Sequence, residues 1–218
     1  MARIVFDLDG TLIDSAPDIQ FSANFALEVT DAAPLSLSET RSFVGSGVPI
    51  FVDRMMRARG LTEGREELIA RFLEAYQSAV HQTIVFEGVR DTLADLAAAG
   101  HVLGICTNKP IAATRAVLAH LDLAAPFATV FGGDSLPQRK PDPAPLRAVF
   151  AQLGAGPCLY VGDSEIDVKT AERAGVPFAL YTEGYRSTPL DQLTHVIRFD
   201  DWARLPGLIA EDPALLSV

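Results

Sequence analysis

Short apolar runs rich in β-branched residues recur along the chain, at Arg3–Leu8 (RIVFDL), His101–Thr107 (HVLGICT), Cys158–Gly162 (CLYVG) and Phe178–Thr182 (FALYT), with a weaker one at Ala128–Phe131 (ATVF). Each reads as a buried strand, and the first breaks at once into an Asp-Gly turn. Between them, Val89–Ala99, Ile111–Leu121, Pro145–Leu153 and Ile166–Ala174 carry alanine and leucine at helical spacing. Strand alternating with helix predicts an α/β architecture, a parallel sheet with helices on both faces.

One stretch breaks the rhythm. From about Pro17 to Val80 the pattern is helical only, at Asp18–Val29, Ser38–Phe43, Pro49–Arg59 and Glu63–Ala79, with no convincing strand before Phe86. This predicts a helical insertion, residues 15–81, in a core made of residues 1–14 and 82–218. Its edges fall just after the Asp-Gly turn and just before Glu87-Gly88-Val89, so it is expected above the carboxyl ends of the strands, where open α/β sheets bind ligands. The segment after Phe199 reads as a closing helix or loop.

Composition narrows the function classes. At 218 residues, 49% hydrophobic, the chain can bury a full core. With 18 basic against 28 acidic residues, a net charge of −10 and no Lys/Arg-rich run, neither nucleic acid nor an anionic membrane is an expected partner. The absence of a spanning apolar stretch or a signal-peptide layout leads to the expectation of a cytoplasmic protein, a monomer or homodimer. Cys106 and Cys158 lie in strand-like runs and are expected to be buried, inert thiols. The four histidines have no metal-like spacing.

The chemistry sits where predicted strands end: Asp7-Leu8-Asp9-Gly10-Thr11, Thr107-Asn108, Lys140-Pro141-Asp142-Pro143, and Gly162-Asp163-Ser164 with Asp167. Parallel strands point one way, so these segments converge. Asp7 can attack phosphorus while Asp9 donates a proton to the leaving alcohol and later activates water. An ordinary turn after a strand gives the same Asp-Leu-Asp-Gly. Asp163 and Asp167 beside Asp7 call for a hard divalent cation such as Mg²⁺, although Gly-Asp-Ser is also a helix N-cap. Asp7, Asp163, Asp167 and a phosphate dianion bring about five negative charges, of which Mg²⁺ and one lysine offset about three. Lys140, one of only three lysines, is the candidate for that role, and Thr107 and Asn108 offer a hydroxyl and an amide to phosphate oxygens.

In order and spacing these segments resemble the four motifs of the haloacid dehalogenase (HAD) superfamily, from Asp7 to Asp167. The resemblance implies a Rossmann-like core with a small helical cap. It makes Asp7 the nucleophile and Asp9 the acid/base. Thr107 and Lys140 would bind the phosphoryl group, and Mg²⁺ would lie between Asp7, Asp163, Asp167 and the Asp9 carbonyl. Phe6–Pro17, Val44–Gly47 and Gly132–Leu146 resemble the phosphoglycolate phosphatase-like branch, which implies a small phosphorylated metabolite, 2-phosphoglycolate, as substrate. Gly10, Thr11, Asn108 and, in the insertion, Arg41 beside Gly45-Ser46-Gly47 are the candidate substrate-binding residues.

Single residues weigh against some relatives. A dehalogenase has no use for a second acid such as Asp9. A phosphonoacetaldehyde hydrolase needs a lysine in the insertion, and none occurs between Asp9 and Lys109. A β-phosphoglucomutase-like or broad-range sugar-phosphate enzyme stays open, as does, more remotely, an inactive binding module.

Overall fold

The computed structural model describes residues 1–211. Six parallel strands form one sheet in the order β5-β4-β1-β6-β7-β8: β1 (Arg3–Phe6), β4 (Val102–Cys106), β5 (Phe127–Phe131), β6 (Cys158–Gly162), β7 (Phe178–Tyr181) and β8 (Ile197–Phe199). β1 is central, with Phe6 in register with Ile105 on one side and Val161 on the other. Its side chains explain the unbroken apolar run. Ile4 and Phe6 enter one core layer with Val89, Leu93 and Trp202, while Val5 enters the opposite layer with Val149, Tyr160 and Val168. Both faces are covered, so neither parity of the strand is polar.

The helices between the strands are α5 (Val89–Ala98), α6 (Ile111–His120), α7 (Ala144–Gln152) and α8 (Glu165–Ala174), close to their expected bounds. α9 (Leu205–Glu211) then closes over α5. β8 was not expected from the sequence: its three residues alternate buried, exposed, buried at the sheet edge and give no apolar run.

The insertion contains α1 (Ala16–Leu27), α2 (Leu37–Phe43), α3 (Val48–Arg59) and α4 (Arg65–Tyr76). Local chemistry sets their ends. At α2, the Ser36 hydroxyl accepts from the Glu39 N–H while the Glu39 carboxylate accepts from the Ser36 N–H, a capping box. α3 stops at Gly60, whose φ of +66° lies in the left-handed region. The four helices pack on a separate apolar cluster that includes Phe51, Met55, Leu68 and Phe72.

The expectation of no strand here is corrected at the edges. β2 (Ile13–Asp14) and β3 (Ile84–Val85) pair antiparallel, so the chain enters and leaves the insertion through a two-stranded ribbon. Two residues each are too few to give a periodic signal. Asp18 in α1 ties the return path down, accepting from the Gln82 N–H and the Thr83 hydroxyl.

Candidate active site

β1, β4 and β6 end side by side, and the predicted residues follow them at once. Asp7 and Asp9 come one and three residues after β1, Thr107 and Asn108 directly after β4, and Asp163 directly after β6. Asp167 lies in the first turn of α8, and Lys140 arrives on the loop between β5 and α7. All six, Thr107 included, are buried together with Asn108.

The carboxylates split into two groups. Asp7, Asp163 and Asp167 each offer an oxygen within 4.8 Å of the others. The Asp9 carboxylate stands outside this cluster: its Oδ1 accepts from the Ser15 hydroxyl at 2.6 Å and from Lys109 Nζ at 3.1 Å. Asp9 is thus not among the three carboxylates drawn together here.

Lys140 is the cation of the acid cluster. Its Nζ donates to Asp167 Oδ1 at 2.8 Å and to the Tyr160 hydroxyl at 2.9 Å, and lies 2.8 Å from Asp7 Oδ1. The last contact is an ion pair without hydrogen-bond alignment, and Asp7 Oδ1 receives no donor among the described residues. Asp167 divides its work: Oδ2 accepts from the N–H and hydroxyl of Ser164, capping its own helix, while Oδ1 faces Lys140. The N-cap of this segment is thus Ser164, and Asp167 serves the capping box and the acid cluster through different oxygens.

Burial sets the electrostatics. Desolvation pushes the Asp7 carboxyl up to about 7, opposed by Lys140 and reinforced by Asp167. Asp163 is pushed well above the carboxylate range by burial and then by Asp167 and Asp7. Asp167 is held low despite burial, because Lys140 lies against it. Burial alone would lower the Lys140 ammonium, but Asp167 and Asp7 outweigh it and hold the charge on. Three dry carboxylates with one ammonium, one carboxylate oxygen lacking a donor, and oxygen-only ligands are a donor set that fits a hard divalent cation.

Asp163 is positioned from both sides. Its Oδ1 accepts from the Thr11 hydroxyl at 2.6 Å and its Oδ2 from the Tyr185 N–H at 2.7 Å. Gly10, at φ +84°, and Gly184 leave no room for more: a Cβ would come within 2.6 Å and 2.3 Å of Asp163 Oδ2. Gly10 and Thr11, expected to bind substrate, are thus placed to shape the acid cluster; the Thr11 hydroxyl is already given to Asp163.

A small cavity of about 40 Å³ opens between sheet and insertion. The core contributes Asp7, Asp9, Thr107, Asn108 and Lys109, and the insertion Gly45, Gly47, Phe51, Phe72 and Tyr76. Asn108 bridges the halves: its Nδ2 donates to the carbonyls of Gly45 and Lys140, both at 2.9 Å.

Arg41, expected among the substrate-binding residues, does not line this cavity. Its guanidinium pairs with Asp14 Oδ2 at 2.8 Å with its side chain 44% exposed. Asp14 ends β2, and α2 runs past it, so the nearest carboxylate takes the charge.

Lys109 is the site residue missed from sequence. It is buried, and its Nζ donates to Asp9 and to the Tyr76 hydroxyl. Its place directly after Thr107-Asn108, in a chain with three lysines, was the available signal. Tyr185 gave no local signal at all. The cysteine expectation holds for Cys106, whose thiol burial pushes up to about 12; Cys158 is only half-buried, and the Arg3 guanidinium donates to its sulfur at 2.9 Å. Among the described residues no helix is long and apolar enough to cross a membrane.

The model of the haloacid dehalogenase-like hydrolase family matches residues 4–181. A phosphoglycolate phosphatase of Cereibacter sphaeroides is 46% identical over 213 residues, covering 96% of this chain and 98% of the relative. A phosphoglycolate phosphatase of Rhodospirillum rubrum is 42% identical, covering 93% of this chain and 88% of its own. Among solved structures, a predicted phosphoglycolate phosphatase from Haemophilus somnus superposes with a TM-score of 0.88 at 31% identity, over 94% of this chain and 96% of that one.

Proposed function

Because the chain belongs to the haloacid dehalogenase-like hydrolases, we propose that this phosphatase hydrolyses 2-phosphoglycolate to glycolate and phosphate through an aspartyl-phosphate on Asp7. The observation that carries this is the separation of the two acids that leave β1. Asp7 lies in the acid cluster against Lys140, and Asp9 lies apart on the cavity wall, held by Ser15 and Lys109. One can attack phosphorus while the other handles the proton of the leaving alcohol. The substrate assignment is supported by the relatives in Cereibacter and Rhodospirillum, which are phosphoglycolate phosphatases.

In this reading Lys140 and Thr107 hold the phosphoryl oxygens, and Asp9 protonates glycolate and then deprotonates water for the second step. Mg²⁺ would be held by Asp7, Asp163, Asp167 and the Asp9 main-chain carbonyl. When bound it supplies charge neutralisation at the phosphoryl group. Residues 15–81 act as a cap over the core formed by 1–14 and 82–218. The cap's contribution to the cavity is largely aromatic and apolar, which excludes water and offers few partners to sugar hydroxyls.

The test is a phosphate-release assay with Mg²⁺ across 2-phosphoglycolate, hexose and triose phosphates and nucleotides, beside Asp7→Asn. Preference for phosphoglycolate, lost in the variant, is the expected result. Equal turnover of hexose phosphates overturns the substrate, and activity surviving in Asp7→Asn overturns the nucleophile.

A further inference from the structure

We propose that Lys109 is the specificity-determining cation that reads the substrate's carboxylate, an inference that rests on the phosphoglycolate assignment above. Its starting point is Asp9. For that carboxyl to protonate the leaving oxygen, the oxygen must come within hydrogen-bond distance of it. In 2-phosphoglycolate one methylene separates the leaving oxygen from the carboxylate carbon, so the carboxylate oxygens lie within roughly 4 Å of it by bond lengths alone. A cation that touches Asp9 is therefore within reach of the carboxylate. Lys109 is that cation, 3.1 Å from Asp9 Oδ1 and on the wall of the same cavity as Asp7.

The donors of Lys109 are only partly used. Its Nζ donates to Asp9 and, at 2.5 Å, to the Tyr76 hydroxyl, and it sits 4.1 Å from the centre of the Tyr76 ring. An ammonium has three N–H groups, and the third finds no acceptor among the described residues. Tyr76 closes α4, so the ammonium is fixed from the insertion and from the sheet together. Being buried, its charge acts at short range with little screening. The other candidate, Arg41, is spent on Asp14 away from the cavity. An ester without a carboxylate would leave the third N–H unpaired, and such a loss is what makes a polar site discriminate.

The experiment compares kcat and KM for 2-phosphoglycolate and for ethyl phosphate, which replaces the carboxylate by a methyl group, in wild type, Lys109→Met and Lys109→Arg. Lys109→Met should lower kcat/KM for phosphoglycolate by about 10- to 100-fold more than for ethyl phosphate, mostly through KM, the worth of one charge-assisted hydrogen bond. Lys109→Arg should recover part of that preference. Equal losses on both esters, carried by kcat, overturn the assignment and leave Lys109 only as the residue that positions Asp9. If Lys109→Met does not fold, as judged by its thermal melt, Tyr76→Phe takes its place: a larger KM increase for phosphoglycolate than for ethyl phosphate supports the assignment, and equal increases overturn it. Wild type without preference between the esters overturns the substrate reading and this inference together. A wild-type preference that survives Lys109→Met overturns this inference alone.

Discussion

Tyr185 joins Asp163 to the base of the insertion: its N–H donates to Asp163 Oδ2 at 2.7 Å, and its phenol donates to Asp14 Oδ1 at 2.6 Å. The same phenol oxygen accepts from the N–H groups of Ser15 and Ala16, where α1 begins. Tyr185→Phe keeps the main-chain bond to Asp163 and removes the other three. The expected outcome is a stability loss of about 1–3 kcal/mol, measured by urea unfolding, with Mg²⁺ affinity changed little. An unchanged unfolding midpoint would mean that water replaces the phenol without cost.

Asp7 gives a pH prediction with a definite sign. Its carboxyl is raised by burial from an ordinary 3.8 to about 7. A carboxyl raised in the folded state stabilises the fold while protonated, so its contribution is full below about pH 4 and is lost as pH rises through 7. With chelator present, wild type should therefore lose stability relative to Asp7→Asn across that window. Urea unfolding at several pH values reads this directly, and a gap that stays constant refutes the burial argument.

Adding Mg²⁺ should raise the melting temperature, because a ligand of the folded state at 100 times its Kd adds about 2.7 kcal/mol. Asp163→Asn, which keeps its shape and removes a ligand charge, should shrink that shift. Calcium-free calorimetry with Mg²⁺ titration checks both, and an equal shift in the variant removes Asp163 from the ligand set.

Arg41→Ala should change kcat/KM for phosphoglycolate by less than about threefold, since its half-exposed ion pair with Asp14 is worth at most about 1 kcal/mol. A loss of tenfold or more in steady-state assays would return Arg41 to the substrate site.

What could be read from the sequence depended on whether the signal was local. β1, β4, β6 and β7 are buried on both faces and therefore announce themselves as apolar runs, and the carboxylates that follow them converge because the strands are parallel. β2, β3 and β8 are too short, and Ile84 is exposed, so no run marks them. Asp7, Asp9, Lys140, Asp163 and Asp167 carry recognisable neighbours. Lys109 acquires its place through Asp9, 100 positions away, and Tyr76, 33 positions away, and Tyr185 through Asp14, 171 positions away. The surroundings of Arg41 were hidden for a related reason: a charged residue near a glycine loop suggests a ligand, but the pairing with Asp14 is a contact 27 positions away.

The ribbon of β2 and β3 has a further meaning. Ile13 faces Val85 and Asp14 faces Ile84, so the two crossings into the helical insertion are neighbours in space. Topologically the whole insertion is the loop of one hairpin. Its length and content can change in the course of evolution without altering the register of either half of the sheet.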